Sequence, residues 1–137
     1  MRTGDRKPET AKGRRTAQNA FRKRTFEFGI RCIRVVETLP RSIAVDTIAR
    51  QLIRAATSVA ANYRGAIRGR SSAEFMAKLG IVEEECDEAR HWLETLVALN
   101  LVQPGRIADL QQEADAIIAI TVASIRTTRQ NAKEPTN

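Results

Sequence analysis

Four arginines, Arg50, Arg54, Arg64 and Arg68, recur at spacings that place them on one stripe of a helix. At 100° per residue the stripe lies about 100 to 180° around from that helix's apolar line, with Thr57 and Ala61 between the arginines. A planar guanidinium fork fits phosphate oxygens and carboxylate oxygens alike. The stripe therefore points to an anionic partner, either a nucleic-acid backbone or an acidic protein surface, with an ordinary solvated face as the plainer alternative. The next segment, Arg68-Gly69-Arg70-Ser71-Ser72, sets Arg68 and Arg70 beside the free N–H groups of an expected helix start, where anions bind readily. It has neither the lysine nor the glycine spacing of a nucleotide-binding loop, so a capped turn with solvated arginines is the simpler reading.

The groups that would do covalent or acid–base chemistry do not assemble. His91 is the only histidine and its helical angle is roughly opposite the core, which makes it a solvated side chain rather than a catalytic base. Glu83, Glu84, Glu85, Asp87 and Glu88 form a carboxylate run, but no Glu-x-x-His pair accompanies them, as a two-metal helical bundle would need. The expectation is a protein with no catalytic residue, no metal site and no cofactor.

A second feature sits on the same helix as the carboxylates. Ile81, Trp92 and Leu99 make an apolar line outside the main core stripe, interleaved with Glu85 and Glu88. An aromatic rimmed by charge is typical of an association patch. These five residues are the candidate oligomer interface, and a wide monomeric core is the competing explanation.

The net charge of +7 is unevenly distributed. Residues 1–24 carry Arg2, Arg6, Lys7, Lys12, Arg14, Arg15, Arg22, Lys23 and Arg24 against only Asp5 and Glu9, so the excess lies at the amino-terminal end. Arg14, Arg15, Arg22, Lys23 and Arg24 join the stripe and Arg70 as candidate nucleic-acid contacts. The body is neutral in sum but polarised, basic over residues 31–70 and acidic over residues 71–125.

The elements that must position these groups are helical. Apolar residues are 42% and aromatics 4% of a chain of 137 residues, one domain's length, and the abundance of alanine favours helix over sheet. Residues 1–19 are polar and basic and read as a disordered arm. Helix 1 is expected over about residues 20–39, with Phe21, Phe28, Cys32, Val35 and Leu39 inward, Phe26, Ile30 and Ile33 widening the stripe, and Pro40 ending it. Helix 2 is expected over 42–68, with Val45, Ala49, Leu52, Ala56, Val59, Tyr63 and Ala66 as its seam and Gly69 as its cap. Ser71 and Glu74 form a capping-box pattern for helix 3, expected over 72–100 with Phe75, Leu79, Val82, Cys86, Ala89, Leu93 and Leu96 inward. The Gln103-Pro104-Gly105 turn precedes helix 4 over 106–128, with Ile107, Leu110, Ala114, Ile117, Ile118, Thr121 and Ile125 inward, and residues 129–137 read as a flexible tail.

Short loops between four such helices imply an all-α, antiparallel up-down four-helix bundle over residues 20–128. Cys32 and Cys86 fall on core faces and no secretory segment precedes them, so both read as reduced thiols of a cytoplasmic protein. The longest apolar stretch, residues 116–123, is too short to span a bilayer.

Gln51-Leu52, Arg54-Ala55-Ala56-Thr57-Ser58-Val59, Ala61-Asn62, Arg70-Ser71, Glu74-Phe75, Glu88 and Trp92-Leu93 form a pattern across about three quarters of the chain. In this it resembles the bacterial four-helix bundle family encoded in intervening sequences of large-subunit ribosomal RNA genes. The resemblance implies a homopentameric barrel of bundles. It also implies kinship with the accessory protein of diversity-generating retroelements, which partners a reverse transcriptase and binds RNA or DNA. The chain departs from the family pattern at Arg64-Gly65-Ala66, where Ala-Glu-Gly is common, and at Glu84-Glu85, which replaces a Gly-Ser pair. The expected function is thus a non-enzymatic homo-oligomer that binds nucleic acid or a nucleoprotein partner through basic surfaces. The alternative is a protein-interaction module whose arginine stripe pairs with acidic surfaces of neighbouring subunits.

Overall fold

The computed structural model describes residues 10–133, and all of its regular structure is helical. Four helices follow one another: α1 over Ala11–Val36, α2 over Ile43–Ile67, α3 over Ser72–Ala98 and α4 over Pro104–Lys133. Each packs chiefly on its sequence neighbour and α1 touches α4 least, which is the four-helix bundle that short connections require.

The ends of the helices are set by local chemistry. Ser42 caps α2 by accepting the Val45 N–H at 3.1 Å, and Ser71 caps α3 by accepting the Glu74 N–H at 3.1 Å. The capping box differs in one respect from the sequence expectation. The Glu74 carboxylate reaches past Ser71 and accepts the Arg70 N–H at 2.6 Å. Gly69 also has a different reason from a left-handed cap, since no glycine among the described residues has positive φ. A Cβ there would lie 3.0 Å from the Ala66 carbonyl oxygen and 3.2 Å from the Phe75 nitrogen, so the turn needs the space. At the far end of α3, Asn100 does adopt φ 59°. The Leu101 N–H then bonds Leu96 and the Asn100 N–H bonds Val97, a paired closure in which asparagine tolerates the left-handed conformation.

Both outer boundaries move outward from the sequence expectation. Residues 11–19, read as part of a disordered arm, are the first turns of α1, and α4 runs to Lys133 through part of the expected tail. Thr10 explains the first shift: its hydroxyl accepts the Gly13 N–H at 2.9 Å, and Ala11, Lys12, Arg14, Arg15, Ala17 and Gln18 are good helix formers once a helix is nucleated from the core. Residues 1–9 of the arm and 134–137 of the tail lie outside the described residues. Pro104 is the first residue of α4 rather than a breaker before it, a position where its missing N–H costs nothing.

Inside, the α2 seam is buried as its spacing requires, from Val45 through Ala49, Leu52, Ala56, Val59 and Tyr63 to Ala66. Leu79, Val82, Cys86, Ala89, Leu93 and Leu96 of α3 face it, and Ile107, Leu110, Ala114 and Ile117 of α4 close the core. Phe75, Ile118 and Ile125 are only partly buried against it. Phe28 and Cys32 come from α1, where Phe21 meets the Tyr63 ring edge-on at 4.7 Å. Cys32 and Cys86 are both free and buried, and burial pushes each thiol up to about 12, so both stay protonated at neutral pH.

The expected inward stripe of α1 is buried at Phe21, Phe28 and Cys32, but Phe26 is not part of its widening. It faces outward and is 61% exposed rather than widening the core. The helix is apolar on more than one side, so spacing alone left its inward face ambiguous.

Candidate nucleic-acid interface

The bundle has four seams between adjacent helices, and ion pairs cross three of them. At α1–α4, Arg24 grips Glu113 with a two-toothed fork, Nε to Oε2 at 2.7 Å and Nη2 to Oε1 at 2.8 Å. At α2–α3, Arg54 donates to Glu85 at 3.1 Å and to Glu88, while the Ser58 hydroxyl donates to Glu85 at 2.9 Å. At α3–α4, Arg90 bonds Asp115 and also reaches Asp87 on its own helix at 2.6 Å. No ion pair crosses the α1–α2 seam among the described residues.

That fourth seam is closed by backbone approach instead. Gly29 lets α1 come so near α2 that a Cβ in its place would lie 3.2 Å from the Ala56 carbonyl oxygen. Small side chains bring the helices together, and the long cations are left at the rim. Arg22 and Arg64 line one groove along the seam with Asn19, Lys23, Phe26 and Ala60. Arg50 lines another nearer the α1–α2 loop, beside Asp46, whose carboxyl is held below the usual range chiefly by the Arg41 fork and partly by Arg50 at longer range. Arg22, Arg50 and Arg64 form no ion pair among the described residues.

The structure therefore divides the arginine stripe. Arg50 and Arg64 turn towards α1, whereas Arg54 is consumed by the α3 carboxylates and Arg68 lines a groove with Arg70 of the α2–α3 turn and Glu74 and Lys78 of α3. Arg14 and Arg15 are exposed on the first turns of α1. Arg24, expected among the free cations, is the clamp on Glu113, because one turn of α1 points it at α4. The sequence could not show this division, since it depends on which helix lies alongside.

The candidate oligomer interface is likewise divided. Glu85 and Glu88 are occupied by Arg54 of the same chain. Trp92 is partly buried against the core, and its indole N–H is buried without an acceptor among the described residues. Ile81 and Leu99, 36% and 51% exposed, are the parts of the patch that stay open. Sequence spacing missed Ile43, which is 90% exposed at the start of α2. His91 is exposed and meets the Trp92 ring edge-on at 4.8 Å. Among the described residues no cluster of His, Cys, Asp or Glu could hold a metal ion, and no helix is long and apolar enough to cross a membrane.

Among the curated proteins none matches this chain. Among solved structures it is similar to a protein of unknown function from the S23 ribosomal protein family of Bacteroides thetaiotaomicron, with 25% identity and a TM-score of 0.74, over 80% of this chain and 97% of that one. The profile of the 23S rRNA-intervening sequence proteins matches residues 17–123, from the middle of the first turns of α1 to late α4. A match over that much of the bundle places the chain in a family: it belongs to the 23S rRNA-intervening sequence proteins.

Proposed function

We propose that this protein is a non-enzymatic, homo-oligomeric helical bundle that binds nucleic acid, alone or within a nucleoprotein partner such as a reverse transcriptase, through the basic face of α1 and α2. The observation that carries the reading is the seam that no ion pair crosses among the described residues. Three seams spend their arginines on internal ion pairs, and the fourth leaves Arg22, Arg50 and Arg64 unpaired along one rim. Cations aligned on one face give a directed positive potential that attracts a phosphate backbone, which a scattered surface of the same net charge does not.

The test is fluorescence anisotropy of the full chain with single- and double-stranded RNA and DNA across a salt series. Binding should weaken by about 0.7 to 0.9 log units per log unit of salt for each phosphate contacted. No binding of any of the four at low salt would defeat the reading. Exposure of Ile81 and Leu99 supports the homo-oligomeric part and keeps a second reading in play, a protein-interaction module built on that apolar line. Sedimentation velocity tests it: the oligomer should dissociate when Ile81 and Leu99 are both changed to Lys, and an unchanged wild-type monomer would remove self-association.

A further inference from the structure

Phe26 is 61% exposed at the edge of the α1–α2 seam, and the groove beside it, roughly 440 Å³ and open to solvent, is lined by Asn19, Arg22, Lys23, Ala60 and Arg64. No carboxylate lines this groove. Lys23 is 3.9 Å from Glu27, a loose exposed pair that lies on the far side of Phe26, whereas Arg22 and Arg64 have no such partner among the described residues. An exposed ring costs apolar area in water and adds nothing to the core here, since Phe21, Thr25, Phe28 and Cys32 already fill the inward face of α1. What such a ring can do, sharing a groove with two unpaired guanidiniums, is offer a stacking platform with phosphate-binding groups beside it.

We infer that the α1–α2 groove holds an unpaired base of a single-stranded nucleic acid, stacked on Phe26, with the adjoining phosphates on Arg22 and Arg64. This rests on the nucleic-acid reading above and specifies its site. A single strand is favoured over a duplex because the π-face of a base is accessible only when it leaves the helix stack. It is favoured over a second copy paired through this same groove about a two-fold axis, because that contact would bring arginine against arginine. A second copy presenting its acidic α3 face, with Glu84 and Glu94, is the competing occupant.

The test uses the full-length protein and an oligonucleotide carrying one 2-aminopurine, beside an otherwise identical strand with an abasic site at that position. The wild type should quench 2-aminopurine and bind the base-bearing strand more tightly than the abasic one. Phe26→Ala should lose the quenching and roughly 5- to 150-fold in affinity for the base-bearing strand, leave abasic-strand binding unchanged and keep its melting temperature. Phe26→Trp should restore the preference. Arg22→Gln with Arg64→Gln should weaken both strands alike. Equal wild-type affinity for the two strands would overturn the stacking site while leaving phosphate binding standing, and failure to bind either strand would take down both. Sedimentation of Phe26→Ala completes the design: dissociation of a wild-type oligomer would assign the groove to a second copy and sink the proposal.

Discussion

The α2–α3 and α1–α2 seams are both lined by arginines of α2, yet one is electrostatically closed and the other open. On the α3 side, Arg54 meets Glu85 and Glu88 and Ser58 adds a hydrogen bond to Glu85. On the α1 side, Gly29 and Ala56 bring the backbones together, no carboxylate lines the groove of Arg22 and Arg64, and Asp46 near Arg50 is held by Arg41 instead. Four residues along α2, a net rotation of about forty degrees, separate Arg54, which holds the fold, from Arg50, which is available to a ligand. A basic stripe therefore acquires a functional meaning only after the charges met by neighbouring helices are subtracted.

The largest effect should come from the core both seams share. Leu52 and Leu93 are fully buried where α2 and α3 face each other. Leu52→Ala or Leu93→Ala should each cost about 2 to 5 kcal/mol in denaturant unfolding. A midpoint left in place by both would break the packing on which the two seams depend. A smaller and more local effect is expected at Gly29. Gly29→Val should push α1 off the Ala56 carbonyl and cost about 1 to 3 kcal/mol, with the loss greatest in amide-exchange protection of α1 and least in α3 and α4. Uniform loss of protection would show that the α1–α2 seam is not closed by backbone approach.

The ion pairs come last in size. Double-mutant cycles for Arg24 with Glu113 and for Arg54 with Glu88 should give couplings up to about 1 kcal/mol, shrinking as salt rises, because every partner keeps some solvent exposure. The Arg24 pair should be the stronger of the two, since its fork is two-toothed and Glu113 is the least exposed of the four side chains. Equal and salt-independent couplings would contradict that ordering.

Much of this architecture can be seen in the sequence, and the parts that cannot share a physical cause. The phase of α2 from Val45 to Ala66 and of α3 from Leu79 to Leu96 follows from strict helical recurrence of apolar residues. The start of α1 does not, because residues 11–19 have no apolar period and depend on Thr10 and on propagation from Phe21. Phe26 escaped because Phe21, Phe28, Ile30 and Ile33 surround it with alternatives on neighbouring faces. The Arg24–Glu113 and Arg54–Glu88 pairs link residues far apart in the chain, so no local pattern carries them. The stripe was legible, but its division between α1 and α3 was not.

The most direct measurement compares two triple variants with the same loss of charge. One changes the unpaired Arg22, Arg50 and Arg64 to Gln, and the other changes the paired Arg24, Arg54 and Arg90 to Gln. Affinity for single-stranded RNA is then followed against salt under conditions where both remain folded. Removing the unpaired set should flatten the salt slope by about 2 to 3 log units per log unit of salt, while the paired set keeps a near wild-type slope and loses stability instead. Equal loss of slope in the two variants would mean that binding follows net charge alone, and the α1–α2 face would have no special part in it.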